Sequence, residues 1–122
     1  MATGAPNMIW VFGYLRSSWT LRADLVSELT CRLLSHMDET GAAVVEPRLR
    51  RGDEDMPARM MIESENFNPG YILRAIEAFP RQGDRAPWTA PNDFEEERLT
   101  MPAADLTDGL VYAGAAPARA AE

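Results

Sequence analysis

The sequence predicts an α/β fold, and three observations carry that prediction. A continuous apolar run, Asn7-Met-Ile-Trp-Val-Phe-Gly-Tyr14, has the β-branched and aromatic content of a strand buried on both faces. A long helical periodicity follows it, from Ser17 or Ser18 to about Met37. A second β-branched run, Ala42-Ala-Val-Val-Glu46, is closed by Pro47.

Each element has a local reason. Met1 to Pro6 is small and flexible in composition. Leu15-Arg16 is the turn after the first strand, and Ser17 or Ser18 supplies a hydroxyl to cap the helix. Leu25, Val26, Leu29, Leu33, Leu34 and Met37 recur at three- and four-residue spacing and form one apolar face. Asp24, Glu28 and Arg32 stand four apart as a ladder of charged neighbours. Gly41 follows, where a left-handed residue ends a helix. Arg48 to Ala58 is charged and reads as a mobile loop, and Arg59 to Ile62 fits either strand or helix. Asn68 as cap and Pro69 at the first helical position open a second helix with the stripe Ile72, Leu73, Ile76 and Phe79, which Pro80 ends. Gln82-Gly83-Asp84 turns the chain, and Trp88 lies in an irregular stretch between Pro87 and Pro91. Asn92 is placed to cap a short third helix reaching Leu99. Leu110-Val-Tyr112 forms a last short strand, and Ala113 to Glu122 is a low-complexity tail with the composition of disorder.

Composition excludes several classes of function. The chain has 122 residues, enough for one small domain whose burial stays incomplete. Stability is therefore expected to be marginal unless the chain docks on something. A net charge of −7 argues against nucleic acid, because phosphate contacts need clustered Lys and Arg. The densest basic stretch, Arg48-Leu-Arg-Arg51, is answered at once by Asp53-Glu54-Asp55. No apolar run approaches the ~18 residues of a membrane span, and the N-terminus lacks the pattern of a signal peptide. A cytoplasmic setting is expected. Cys31 is the single cysteine, in mid-helix, and reads as a small buried or half-buried residue.

The chemistry absent from the chain is informative. No Gly-x-Gly-x-x-Gly turn is available to hold a dinucleotide pyrophosphate, and His36 is the single histidine. Near a helix C-terminus, a charged His36 ring is mildly favourable. The acidic run Asp93-Phe-Glu-Glu-Glu97 points its carboxylates in different directions and reads as a solvated face, so no metal site is assigned. No catalytic residue is assigned either. Trp10, Phe12, Tyr14 and Trp19 fit either a core or the wall of a cofactor pocket. A strand ending in Gly13-Tyr14 and running into a Ser-Ser start gathers free N–H groups and partial positive charge at one spot.

Several stretches carry a family resemblance. They are Phe12-Gly-Tyr14, Ser18-Trp-Thr-Leu-Arg-Ala-Asp-Leu25 and Cys31-Arg-Leu-Leu34 with Met37-Asp38, then Phe67-Asn-Pro-Gly-Tyr71, Arg74, Pro80-Arg-Gln-Gly83 and Pro87-Trp88. Together they cover about Asn7 to Tyr112. In them the chain resembles the C-terminal segment of class B flavoprotein monooxygenases, of the Baeyer–Villiger, ethionamide-activating type. The resemblance implies an α/β fragment of an FAD/NAD(P)-binding, two-dinucleotide-domain fold, with one buried strand, a long amphipathic helix, then short helices and strands. Residues 1–41 would be the last strand and long helix of the FAD-binding domain. Residues 42–112 would be a family-specific extension, and 113–122 a disordered tail.

The same resemblance implies FAD as prosthetic group, NADPH as reductant and O2 as co-substrate, for oxygenation of a ketone or a soft heteroatom. Ser18, Trp19, Thr20 and Leu21 would lie near the flavin ring, where negative charge builds on the reduced N1 and C2-carbonyl side. Both glycine motifs of the family are missing, as are the Phe-x-Gly-x-x-x-His-type signature and the arginine-bearing region of the intact enzymes. Alone, the polypeptide is therefore expected neither to bind FAD tightly nor to turn over. It would be a truncated product, a mis-called start or one half of a split enzyme. Its partner would be the missing N-terminal part, or a second copy through Trp10–Tyr14 and the first helix. The alternative is a non-catalytic interaction or oligomerisation module.

Overall fold

The periodicity after Ser18 builds a 22-residue helix, α1 (Trp19–Thr40), in the computed structural model, which describes residues 1–62 and 69–115. At 1.5 Å per residue it is ~33 Å long. Gly41 ends it in the left-handed region (φ 68°, ψ 22°), and its N–H donates to Met37 O. A side chain at Gly41 would be strained there, so glycine stops α1 and frees the chain to enter a strand.

That strand, β1 (Ala42–Pro47), pairs antiparallel with β4 (Leu110–Ala115), in register from Ala42 opposite Ala115 to Pro47 opposite Leu110. α1 packs against β1, and the His36 ring meets Tyr112 edge-on at 4.8 Å. Ala113 to Ala115 thus belong to a strand, and residues 116–122 of the expected tail lie outside the described residues.

Between these strands lie β2 (Arg59–Met60), helix α2 (Gly70–Ala75) continued by a 3-10 turn over Ile76–Ala78, β3 (Arg81–Gln82) and α3 (Phe94–Thr100). β2 and β3 pair antiparallel through Arg59 with Gln82 and Met60 with Arg81. The ambiguous run at Arg59 is therefore a strand, held because Gln82 Nε2 donates to Met60 O at 2.9 Å. Gln82 Oε1 also accepts from Ala90 N, and Gly83 N donates to Trp88 O, both at 2.9 Å. One amide side chain thereby fastens β2 to the segment carrying Trp88.

The architecture is mixed helix and strand, and several expectations are corrected. Asn7 to Tyr14 forms no strand. A strand needs a neighbour to take its N–H and C=O groups, and the edge of β1 that could serve is occupied. Asn7 N and Nδ2 donate to Val45 O and Ala43 O, and Asn7 Oδ1 accepts from Val45 N. Asn7 has φ 54°, a conformation that asparagine tolerates. Met8, Ile9 and Trp10 are consequently exposed at 55%, 52% and 46%, not buried on two faces. The paired strands among the described residues are antiparallel, with no parallel pair.

The charged loop after β1 is pinned rather than free, since Arg50 bonds Asp53 at 2.7 Å and Asp108 at 3.1 Å. Arg32 leaves the expected ladder and donates to Met101 O and Ala104 O, just beyond α3. Cys31 is exposed. Pro69 stands one residue before α2, at its cap, and Asn68 lies outside the described residues. In the α2 stripe Ile72 is buried and Leu73 exposed. The cap of α3 is Asp93, whose carboxylate accepts from Glu96 N, whereas Asn92 Oδ1 accepts from Leu15 N.

Few apolar side chains are buried: Tyr14, Ala42, Ile62, Ile72 and Trp88 among the described residues. Among these residues, too, no helix is long and apolar enough to cross a membrane. Replacing Gly41 by Val should destabilise the fold by about 1–2 kcal/mol, read as a lower urea midpoint with an unchanged slope.

Candidate functional site

The sequence-predicted site residues sit together at the first turn of α1. Ser18 occupies the cap position, but its hydroxyl meets Thr20 Oγ1 at 2.9 Å instead of capping a backbone N–H. No acidic side chain lies in that turn, so the positive end of the helix dipole is not neutralised locally. Ser18, Trp19 and Thr20 are exposed and Leu21 is half-buried. Gly13 is buried beneath the Trp19 indole, and a Cβ there would overlap the ring. The glycine thus lets the chain before the helix lie flat against Trp19.

One turn further on lies a buried ion pair that the sequence reading missed. Arg22 Nε donates to Glu97 Oε2 at 2.9 Å, and Nη2 reaches Oε1 and Oε2 at 2.6 and 2.7 Å. Both side chains are more than nine-tenths buried. Arg22 Nη1 also donates to Phe12 O at 3.2 Å, and its guanidinium stacks 4.4 Å over the Tyr14 ring. Tyr14 packs edge-on against Phe94 of α3 at 5.9 Å. Its hydroxyl is buried without a hydrogen bond, and burial, then the neighbouring Glu97 carboxylate, push the phenol up to about 12. Tyr14 is therefore neutral at ordinary pH and holds its proton.

A sequence signal for this pair existed. Arg22 interrupts the stripe it forms with Val26, Leu29 and Leu33, and Glu97 interrupts the stripe of Phe94 and Met101. A charge inside an apolar stripe asks for a buried partner. Glu97 accordingly leaves the solvated acidic face on which its run was placed.

The aromatic alternatives divide. Tyr14 is core, Phe12 is half-buried, and Trp10 and Trp19 are exposed. Trp10 and Phe12 stack at 5.6 Å, and Phe12 meets Phe79 edge-on at 5.8 Å. Trp10 and Phe12, with Val26, Leu29, Leu33 and Val45, line an apolar groove of about 590 Å³ whose floor includes the Arg22–Glu97 pair. That volume lies in the range of ordinary ligand and docking clefts.

A second polar cluster is structural. The buried Asp53 carboxylate accepts from Trp88 Nε1 at 2.9 Å and from Arg50 Nε at 2.7 Å, and those bonds, the Arg50 one foremost, hold its pKa below the usual carboxylate value. Among the described residues no group of His, Cys, Asp and Glu is placed to hold a metal ion.

Comparison with known proteins gives a consistent picture. The chain is 47% identical over 94 residues to the FAD-containing monooxygenase EthA of Mycobacterium tuberculosis (strain ATCC 25618 / H37Rv), a match covering 77% of this chain and 18% of that protein. It is 34% identical over 115 residues to the probable FAD-binding monooxygenase AlmA of Acinetobacter sp, covering 91% of this chain and 22% of that protein. It is 34% identical over 112 residues to the putative FAD-containing monooxygenase MymA of the same M. tuberculosis strain, covering 92% and 22%. The chain therefore spans about a fifth of the length of the curated relatives it matches. No family model matches it, and no solved structure matches it significantly.

Two outcomes follow from the buried charges. Glu97→Ala strands the Arg22 charge and should cost about 3–5 kcal/mol, whereas Arg22→Met with Glu97→Leu should restore much of that loss in a urea-unfolding cycle. For Asp53, the folded carboxyl binds its proton less tightly than the unfolded one, whose ordinary value is 3.8. Its contribution to stability is therefore complete above that pH and is lost as pH falls through the lowered folded value. Asp53→Asn should flatten part of the acid limb in a pH series of thermal melts.

Proposed function

Since the chain belongs, over most of its length, with one segment of the FAD-containing monooxygenases, we propose that it supplies the flavin-edge helix of such an enzyme and the extension after it. In this reading residues 1–41 close the FAD-binding domain, with α1 as its long helix, and the extension runs from Ala42 through the end of β4 at Ala115. The observation that carries it is the open first turn of α1, with exposed Ser18 and Thr20 hydroxyls and no acidic side chain.

These residues fit the edge of a flavin ring. Backbone N–H groups and hydroxyls at Ser18 to Leu21 would donate to the N1 and C2-carbonyl side, where the helix dipole favours negative charge. Trp19, backed by Gly13, would give an apolar wall beside that edge. Arg22 holds the turn in place through Phe12 O, and so is a positioning residue. Bound FAD, with NADPH and O2, would supply oxygenation of a ketone by Baeyer–Villiger chemistry or of a soft heteroatom. The fit stops at the ring: no glycine-rich turn in the sequence suits the pyrophosphate. The isolated chain should thus bind FAD weakly and be inactive.

The second reading is a non-catalytic interaction or oligomerisation module, favoured by the exposed Met8, Ile9 and Trp10. Titration with FAD, followed by flavin fluorescence and circular dichroism with and without NADPH, separates the possibilities. No saturable quenching is expected from the chain alone, and saturable quenching is expected once the remainder of a relative such as EthA is co-expressed with it. Failure of the co-expressed pair to take up flavin would sink the flavin-edge assignment. Thr20→Asp should stabilise the free helix by about 0.3–1 kcal/mol while weakening flavin uptake by the pair, two effects of opposite sign from one carboxylate.

A further inference from the structure

We propose that the outer edge of β4 is a dimerisation edge, on which β4 of a second copy of this chain pairs antiparallel to make a four-stranded sheet. The contact is separate from Trp10–Tyr14 and from the apolar face of α1, and it does not depend on the flavin reading.

The alternation of hydrogen bonds identifies the open side. Val45 spends its N–H and its C=O on Asn7, and the carbonyls of Ala43 and Pro47 accept from Asn7 and Gly4. Ala43, Val45 and Pro47 therefore face away from β4, and the outer side of β1 is covered. Backbone direction alternates along an antiparallel pair, so Val44 and Glu46 face β4 and are answered by Ala113 and Val111. Tyr112 and Gly114 are left pointing outward. Among the described residues no hydrogen bond reaches the backbone N–H or C=O of either one.

This edge lacks the devices that commonly blunt a strand edge. Leu110 to Ala115 contain no charged side chain and no proline. Gly114 has φ 73°, yet the register with β1 holds through Ala115.

The sequence of β4 fits its own copy. A two-fold axis through Tyr112 sets the two tyrosines opposite each other, where they exchange both backbone hydrogen bonds. The same axis sets each Leu110 against a Gly114 and each Val111 against an Ala113. Every large aliphatic side chain thus meets a small one, and the tyrosines make a cross-strand aromatic pair. A contact that repeats one patch on both subunits closes as a dimer. The helices clear each other. α1 packs over β1, and the two copies of β1 would lie three strand spacings apart, about 14 Å. Packed helices need only about 8–10 Å. Each copy carries a net charge of −7, but residues 109–118 are uncharged. The repulsion therefore acts at long range and is screened by salt.

The test is sedimentation equilibrium on the full chain alone, with NMR-detected hydrogen exchange at low and high concentration. A reversible dimer is expected, tighter at higher salt. Protection that grows with concentration is expected at the N–H groups of Tyr112 and Gly114, and not at those of Val111 and Ala113, which already face β1. Val111→Lys with Ala113→Lys sets like charges opposite each other twice across the axis and should weaken the dimer about tenfold. Val111→Lys with Ala113→Glu sets opposite charges there and should return it to within about threefold of the parent. Both side chains are exposed, so the fold of the single chain is retained in either variant. A parent chain that stays monomeric up to about 1 mM overturns the proposal. So does a dimer whose protection falls at Met8–Phe12 or along α1 instead, and so do equal effects of the two double variants.

Discussion

The Arg22–Glu97 pair is the constraint around which the rest of the structure is arranged. It joins three segments distant in sequence: the start of α1, the middle of α3 and the chain before the helix, through Phe12 O. The stacked Tyr14 ring closes its exposed side, so the guanidinium is enclosed by a carboxylate, a carbonyl and an aromatic face. Removing two charges from water is costly, and the geometry must be complete to offset it. Five apolar side chains are buried among the described residues, and beside the pair only a few contacts, Tyr14 on Phe94 and Leu15 N on Asn92 among them, fix the first turn of α1 relative to α3. The placement of Ser18 to Leu21 therefore depends on a bond between residues 75 positions apart.

What was legible in the sequence was what local rules determine. The α1 periodicity and the glycine that ends it are set by residues within one or two turns of themselves, and the runs at Ala42 and Leu110 carry strand composition and find each other as partners. The mixed helix and strand content was readable for the same reason, and the relation to flavin monooxygenases through the resemblance of motifs such as Ser18-Trp-Thr-Leu21 and Pro80-Arg-Gln-Gly83. What was not legible depends on distant partners. The run Asn7–Tyr14 has a strand's composition, yet composition cannot supply the neighbour that makes a strand. Arg50 and Asp53 looked like mutually solvated charges, but Trp88 and Asp108, far along the chain, turn them into a buried anchor. The cap of α3 was misplaced by one residue because Asn92 is used by Leu15 instead.

Several large apolar side chains are exposed among the described residues. They include the consecutive Met8, Ile9 and Trp10, with Leu34 on α1, Tyr71 and Leu73 on α2 and Leu99 on α3. The β1–β4 pair carries a polar device at its open edge, the Asn7 amide. An unguarded strand edge recruits further strands, and the Asn7 amide closes the β1 side of this pair.

The Pro80-x-Gln-Gly stretch with Pro87-Trp88 has a consequence for how such chains are recognised. Gln82 and Gly83 spend their polar groups on Met60, Ala90 and Trp88, and Trp88 in turn is held by Asp53. Gln82, Gly83 and Trp88 of that signature are thus engaged in tying loops together. A sequence pattern built on it would sort proteins by shared scaffolding rather than by the residues that do chemistry.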